Sequence, residues 1–198
     1  MTPDLAPAAE TMRRLLTQVT DDQLDLPTPC ERYRLGDLVE HVGGLASAFI
    51  DAARKAPGAG GAGPSGDAAR LPPKWREIYG ERLTELGEAW RDPAAWEGRT
   101  RAGGVDLAGS EAGAVALDEL VLHGWDVARA VGLPYEPDEA TLDVVEPFVA
   151  SFSGPGHEEA RNGLFGPEVT PPAGASRFAR VLAMAGRDPE WRPDGPRG

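Results

Sequence analysis

Ala112-Gly113-Ala114-Val115-Ala116-Leu117-Asp118-Glu119-Leu120-Val121-Leu122-His123-Gly124-Trp125-Asp126-Val127-Ala128-Arg129-Ala130-Val131 carries apolar side chains on more than one side of a helix, with Gly132 in the C-cap position and Pro134 beyond. Val115, Leu117, Leu120, Val121, Trp125, Val127 and Ala128 do not fit on a single stripe. A helix apolar nearly all round belongs at the centre of a fold, so the rest of the chain has to supply what surrounds it.

The flanking sequence supplies amphipathic helices. Residues 4–19 place Leu5, Ala8, Met12, Leu15, Leu16 and Val19 three and four apart, which predicts a first helix. Leu24 to Cys30 holds two prolines that remove backbone donors, and reads as a loop crossing the end of a bundle. Leu35, Leu38, Val42, Leu45 and Phe49 predict a second helix, stopped by Pro57 and the Gly-rich run after it. Trp75, Ile78, Tyr79, Leu83, Leu86 and Trp90 predict a third, closed at Asp92-Pro93. Residues 97–110 are Gly-rich, with only Val105 and Leu107 in alternation, and read as a loop with a short extended piece and no sheet. Beyond the central helix, further helices are expected at about 138–152 and 175–186. The fold class is all-α: a four-helix bundle with one or two short accessory helices and Gly/Pro-rich loops. One domain is expected over residues 1–198, with a flexible linker over 57–73 and a disordered tail over 187–198.

Composition excludes several functions. The 198 residues carry a formal net charge of −12, which opposes the Lys/Arg-driven counterion displacement that nucleic-acid binding requires. No apolar run approaches the ~20 residues that span a bilayer, and the N-terminus lacks a signal-peptide pattern, so a cytoplasmic protein without a membrane partner is expected. Cys30 is alone, which rules out an intramolecular disulfide or a thiolate zinc cluster within one chain. Any metal has to be held by His and carboxylate. The abundance of Ala, Gly, Pro and Arg beside few Lys points to a GC-rich source genome.

Glu119 and His123 lie one turn apart on the central helix, where side chains at i and i+4 stand about 5–6 Å from each other. His41 lies three past Leu38 and four before Leu45, on the inward side of the second helix, and is the candidate third ligand. Three N/O ligands leave a fourth position open, as in catalytic zinc sites, and iron or nickel suits the same set. Asp126, three past His123, is either an acceptor for its ring N–H or a further ligand. The same residues also fit a bundle in which His41, Glu119 and His123 form only a buried hydrogen-bond network. His157 reads as a surface-loop residue, Cys30 as a small buried apolar one, and Trp75 and Trp125 as core or pocket wall.

Pro27-Thr28-Pro29-Cys30-Glu31, then Asp37-Leu38-Val39-Glu40-His41-Val42-Gly43-Gly44, then Leu117 to Ala130, resemble the metal-binding domain of mycothiol-dependent maleylpyruvate isomerase, within the DinB-like superfamily. The stretch from Phe165-Gly166-Pro167 to Pro189-Glu190-Trp191 resembles the ending of a stand-alone actinobacterial branch. The resemblance implies a divalent metal, zinc first, on His41, Glu119 and His123. It also implies mycothiol as co-substrate, with a small electrophile as the other partner. Thiol S-transfer or isomerisation is then the expected activity, and a non-catalytic metal- or ligand-binding bundle, acting as sensor or partner module, is the alternative. Catalytic and cofactor-contacting residues are not assigned, and pairing of two chains stays open. Two departures matter. The isomerase has a further C-terminal domain contributing a basic residue, for which this sequence has no counterpart, so maleylpyruvate isomerisation itself is not expected. Relatives carry Trp-Thr or Trp-Ser where this chain has Tyr33-Arg34, so a hydroxyl N-cap is missing and Gly36 weakens the first turn, a loss of ~1 kcal/mol. Arg34 is expected in solvent.

Overall fold

Helix α1 (Ala6–Gln18) begins with Pro7 in its first turn, where the missing N–H costs nothing, and buries Leu5, Ala8, Ala9, Met12, Leu15 and Leu16. The computed structural model describes residues 2–56, 63, 65–161 and 163–193. Helices α2 (Leu35–Ala53) and α3 (Trp75–Ala89) follow, then the single turn α4 (Pro93–Trp96), capped by Asp92 through the Ala94 N–H. Strands β1 (Arg99–Ala102) and β2 (Val105–Ala108) lead into the long α5 (Gly109–Ala130). Helices α6 (Glu139–Ala150), α7 (Glu158–Arg161) and α8 (Arg177–Met184) complete the chain.

The expected centre is the observed one. Helix α5 packs on α1, α2, α4 and α6, while α3 packs on α1 and α2 and α8 on α6. Around it Leu16, Leu35, Leu38, Leu83, Leu86, Leu117 and Leu142 are fully buried and form one continuous core. At ~25 cal/mol per Å² of apolar surface removed from water, this burial is the main force assembling the bundle. Among the described residues the fold is all-α apart from one hairpin.

That hairpin corrects the reading of 97–110 as a loop without a sheet. Arg99 pairs with Ala108 and Ala102 with Val105, antiparallel. Gly103 and Gly104 both sit at positive φ, 57° and 82°, which makes the tight reversal that twisted two-stranded ribbons favour. Thr100 Oγ1 donates to the Ala52 carbonyl at 2.5 Å and ties β1 to the end of α2. The strands are four residues each, too short for alternation to show in the sequence.

Three further expectations meet the structure. The first turn of α2 lacks a hydroxyl cap, yet the Arg34 N–H donates to Asp37 Oδ2 at 3.3 Å, so a carboxylate inside the helix does the capping. A Cβ at Gly36 would lie 2.9 Å from Ala68 Cβ, and the missing side chain is what lets 68–70 approach. Of the expected flexible linker 57–73, residues 57–62 and 64 lie outside the described residues. The rest is tethered: the Asp67 and Ala68 N–H groups donate to Glu40 and Asp37 of α2, and Ala68–Arg70 forms a 3-10 turn. Of the tail expected to be disordered over 187–198, residues 187–193 are described and 194–198 lie outside the described residues. Arg187 is buried, and the Trp191 carbonyl accepts from Arg129. A tail with those two anchors has given up its chain freedom for a buried ion pair.

Candidate metal centre

Three donors expected from sequence converge. His41 comes from α2, and Glu119 and His123 from successive turns of α5. His123 Nε2 is 3.0 Å and His41 Nε2 3.9 Å from the same Glu119 oxygen, Oε2. The two imidazoles meet edge-on with centroids 5.2 Å apart, and Tyr33 packs on the outer face of His41 at 4.9 Å. One donor atom from each of the three lies within 4.8 Å of the others. Donors bound to one tetrahedral ion at about 2.0–2.2 Å stand roughly 3.3 Å apart, so a small rotamer adjustment brings this set onto one divalent ion. Two imidazoles and a carboxylate are also the donor chemistry such an ion requires.

Behind the donors stands a buried ion-pair chain. His123 Nδ1–H donates to Asp126 Oδ2 at 2.9 Å, and Arg187 donates to the same oxygen at 3.1 Å. Asp126 is 0% exposed and Arg187 7%. Arg187 arrives there because Gly186, at φ 79°, ends α8 in the left-handed conformation, with the Arg187 N–H returning to the Leu182 carbonyl. A Cβ at Gly186 would lie 2.6 Å from the Gly166 backbone, so both the turn and the approach require glycine.

The electrostatics follow from these contacts. Burial pushes the Asp126 carboxyl up, but the Arg187 charge and the His123 hydrogen bond outweigh it and hold it below the usual range. Burial acts the same way on Glu119 and is likewise outweighed, by the His123 hydrogen bond and the two imidazoles. Burial lowers His123, whereas its hydrogen bonds to Asp126 and Glu119 raise it further, to about 10. The metal-free centre therefore holds a proton where a cation would sit. Asp118 differs: buried beside Glu119, with Oδ1 unpartnered among the described residues, its carboxyl is raised well above the ordinary value.

His41, Glu119 and His123 open onto a cleft of 1170 Å³, lined also by Cys30, Asp118 and Arg187. Cys30, expected as a buried apolar residue, is half-buried in this wall, within 4.8 Å of donor atoms of His123 and Asp126. Arg34 lies apart from the cleft, with its guanidinium on the Asp25 carbonyl. His157 is exposed, and Trp75 and Trp125 are core residues. Sequence reasoning missed Asp118 and Arg187. An acid at 118 in a helix apolar all round was a usable signal; Arg187, which meets Asp126 across 61 residues of chain, gave none.

Comparison with known proteins adds one match. The family model described as mycothiol maleylpyruvate isomerase N-terminal domain matches residues 5–128, from α1 through most of α5, and so takes in all three donors. No curated protein and no solved structure matches.

Proposed function

The chain belongs to the mycothiol maleylpyruvate isomerase N-terminal domain family, and from that premise we propose that it is a divalent-metal protein, zinc first, whose cleft joins a low-molecular-weight thiol, mycothiol by family, to a small electrophile. The observation that carries the reading is the meeting of two imidazoles and a carboxylate from two helices at one place in a cleft large enough for two small molecules. A divalent ion held by His41, Glu119 and His123 supplies a Lewis acid that lets a thiol lose its proton near neutral pH.

The residues of the chain do the rest. Asp126 fixes the His123 ring with Nδ1–H outward from the cleft, so that Nε2 presents its lone pair toward Glu119 and His41 once its proton has left. Arg187 keeps Asp126 ionised for that purpose. The apolar helices behind the donors limit water and strengthen every charge interaction at the site. In the transfer the S–H bond breaks and its proton passes to solvent, the sulfur pair forms a bond to the electrophilic carbon, and a leaving group departs with its own pair. In an addition, the displaced π pair takes up the proton instead. Among the described residues no helix is long and apolar enough to cross a membrane.

Elemental analysis of untagged protein, beside His123→Ala, tests the metal; titration of a cobalt-loaded sample with thiol tests its use. We expect one metal per chain, lost in His123→Ala, and a new sulfur-to-cobalt absorption on adding thiol. Protein that stays metal-free after reconstitution, or cobalt protein blind to thiol, overturns the reading.

A further inference from the structure

The cleft lining holds two kinds of chemistry. Part of it is the donors with Cys30, Asp118 and Arg187. Part is aromatic: Phe148 in α6, Phe152 just past its end and Phe165 beyond α7 pack edge-to-face, with centroids 5.3, 5.6 and 6.3 Å apart, and all three line the cleft. A cluster of this geometry offers ring edges and faces to a further flat ring.

Two further observations bear on what lies there. Val105, on the hairpin, and Leu164, in the segment after α7, are the two large apolar side chains left exposed among the described residues, at 55% and 49%. Both line this cleft, although they come from separate elements. A single exposed apolar residue needs no explanation, but the coincidence of both on one concave surface does. An apolar occupant would cover them.

Charge points the same way. Apart from the metal donors and Asp118, the carboxylates lining the cleft are Glu31, Glu111 and Glu168, against two guanidiniums. Arg187 is engaged by Asp126 and the Ala185 carbonyl, and Arg32 donates to the Gly163 carbonyl. Away from the metal a small dicarboxylate would meet these three carboxylates, and the buried guanidinium that could clamp it, Arg187, is already held by Asp126.

We propose that the electrophile taken by this cleft is a neutral, largely apolar molecule with a flat ring, seated against Phe148, Phe152 and Phe165, and is not a small dianion. This rests on the thiol-transfer reading above and names its substrate class. With a ring bearing a halide, the thiol S–H bond breaks, a C–S bond forms at the halide-bearing carbon, and chloride leaves with the bonding pair, releasing one proton per turnover. No oxidant or reductant enters.

The test separates binding from turnover. Calorimetry on zinc-loaded protein without thiol compares 2,4-dinitrotoluene, an unreactive ring, with maleate. Mycothiol-dependent product formation then compares 1-chloro-2,4-dinitrobenzene with maleylpyruvate. The ring is expected to bind at least roughly tenfold more tightly than maleate, a gap of about 1.4 kcal/mol. Leu164→Arg, at an exposed position that does not threaten folding, is expected to weaken the ring and strengthen maleate; Phe152→Ala is expected to raise KM for the chlorinated ring with metal content unchanged. Maleate binding as tightly as the ring, or turnover of maleylpyruvate alone, overturns the substrate class and leaves thiol transfer standing. Ring binding with no thiol-dependent product from either compound overturns thiol transfer and leaves the ligand class standing.

Discussion

Between Gly109 and Ala116, helix α5 presents Gly113 to the rings of Trp90 and Trp96, whereas from Asp118 to Asp126 the same helix turns three acids and a histidine inward. In the first half the indole N–H groups go to the Phe49 and Trp90 carbonyls and nothing ionisable is buried. In the second half, each buried charge is tolerable only because a partner stands within hydrogen-bond reach. The first half is held by shape, the second by charge pairing, so the two should fail differently. Breaking the second half should cost more, since what remains is an uncompensated charge.

Arg187→Ala gives the largest effect. It leaves Asp126 buried with His123 as its remaining partner, and removing one member of a buried pair costs roughly 3–5 kcal/mol. In a chain of this size that lowers Tm by roughly 6–20 °C. The metal should also bind more weakly, because Asp126 no longer fixes His123 firmly. Arg187→Lys should recover part of both. A melt of Arg187→Ala within about 2 °C of wild type would show that the ion-pair chain does not hold this half.

Gly113→Val probes the other half. A Cβ there would lie 2.5 Å from the Trp96 ring and 2.8 Å from Trp90. Overpacking of this kind costs about 1–3 kcal/mol. The metal content of the folded protein should stay at one per chain, which Arg187→Ala should not match in affinity. Equal loss of metal in both variants would mean that α5 responds as one rigid unit and that the division drawn here is wrong.

The two halves also differ in how far the sequence disclosed them. The packing half was legible through periodicity: the inward stripes of α1, α2 and α3 and the all-round apolar character of α5 need only local spacing. The bundle follows from these. The donors were legible for the same reason, since Glu119 and His123 share a helix face and His41 follows the stripe of α2. What escaped depends on long-range or backbone geometry. The hairpin rests on two positive-φ glycines between strands too short to show alternation. Arg187 rests on a glycine turn after α8 and a partner far away in sequence. A terminal Gly-Arg-Asp-Pro reads as tail until its guanidinium is seen under the centre.

pH separates the halves more gently, since nothing is deleted. In metal-free protein the folded-state pKa of His123 is raised to about 10, above the ~6.5 of an unfolded histidine. A raised histidine contributes stability that is fully present below the unfolded value and is lost as pH rises through the folded one. The metal-free protein should therefore lose stability steadily between about pH 6.5 and 10. At about 1.4 kcal/mol per pH unit the loss over the whole window is comparable with that of Arg187→Ala, but it accrues gradually and is reversible, and the Asp126–Arg187 pair survives deprotonation. The slope should vanish in His123→Ala and persist in Gly113→Val. Denaturant melts across that range, with chelator present, measure it; a flat profile in wild type sinks the assignment of the proton to His123.

The smallest effect has the opposite sign. Asp118 is the acid in the second half whose Oδ1 has no partner among the described residues, and burial raises its carboxyl well above the ordinary carboxylate range. A buried polar group without a partner costs about 1–3 kcal/mol. Asp118→Leu removes that cost at nearly constant volume, and should stabilise the metal-free fold by about 1 kcal/mol while leaving metal stoichiometry alone. If the acid faces the cleft to meet a hydroxyl or amide of a bound molecule, the same change should weaken thiol binding severalfold, and Asp118→Asn, which keeps hydrogen-bonding capacity, should weaken it less. Stability gained with thiol affinity lost would mark Asp118 as a position where the fold gives up stability to bind; stability gained with affinity unchanged would make it a packing fault and place the binding determinants wholly on the aromatic wall.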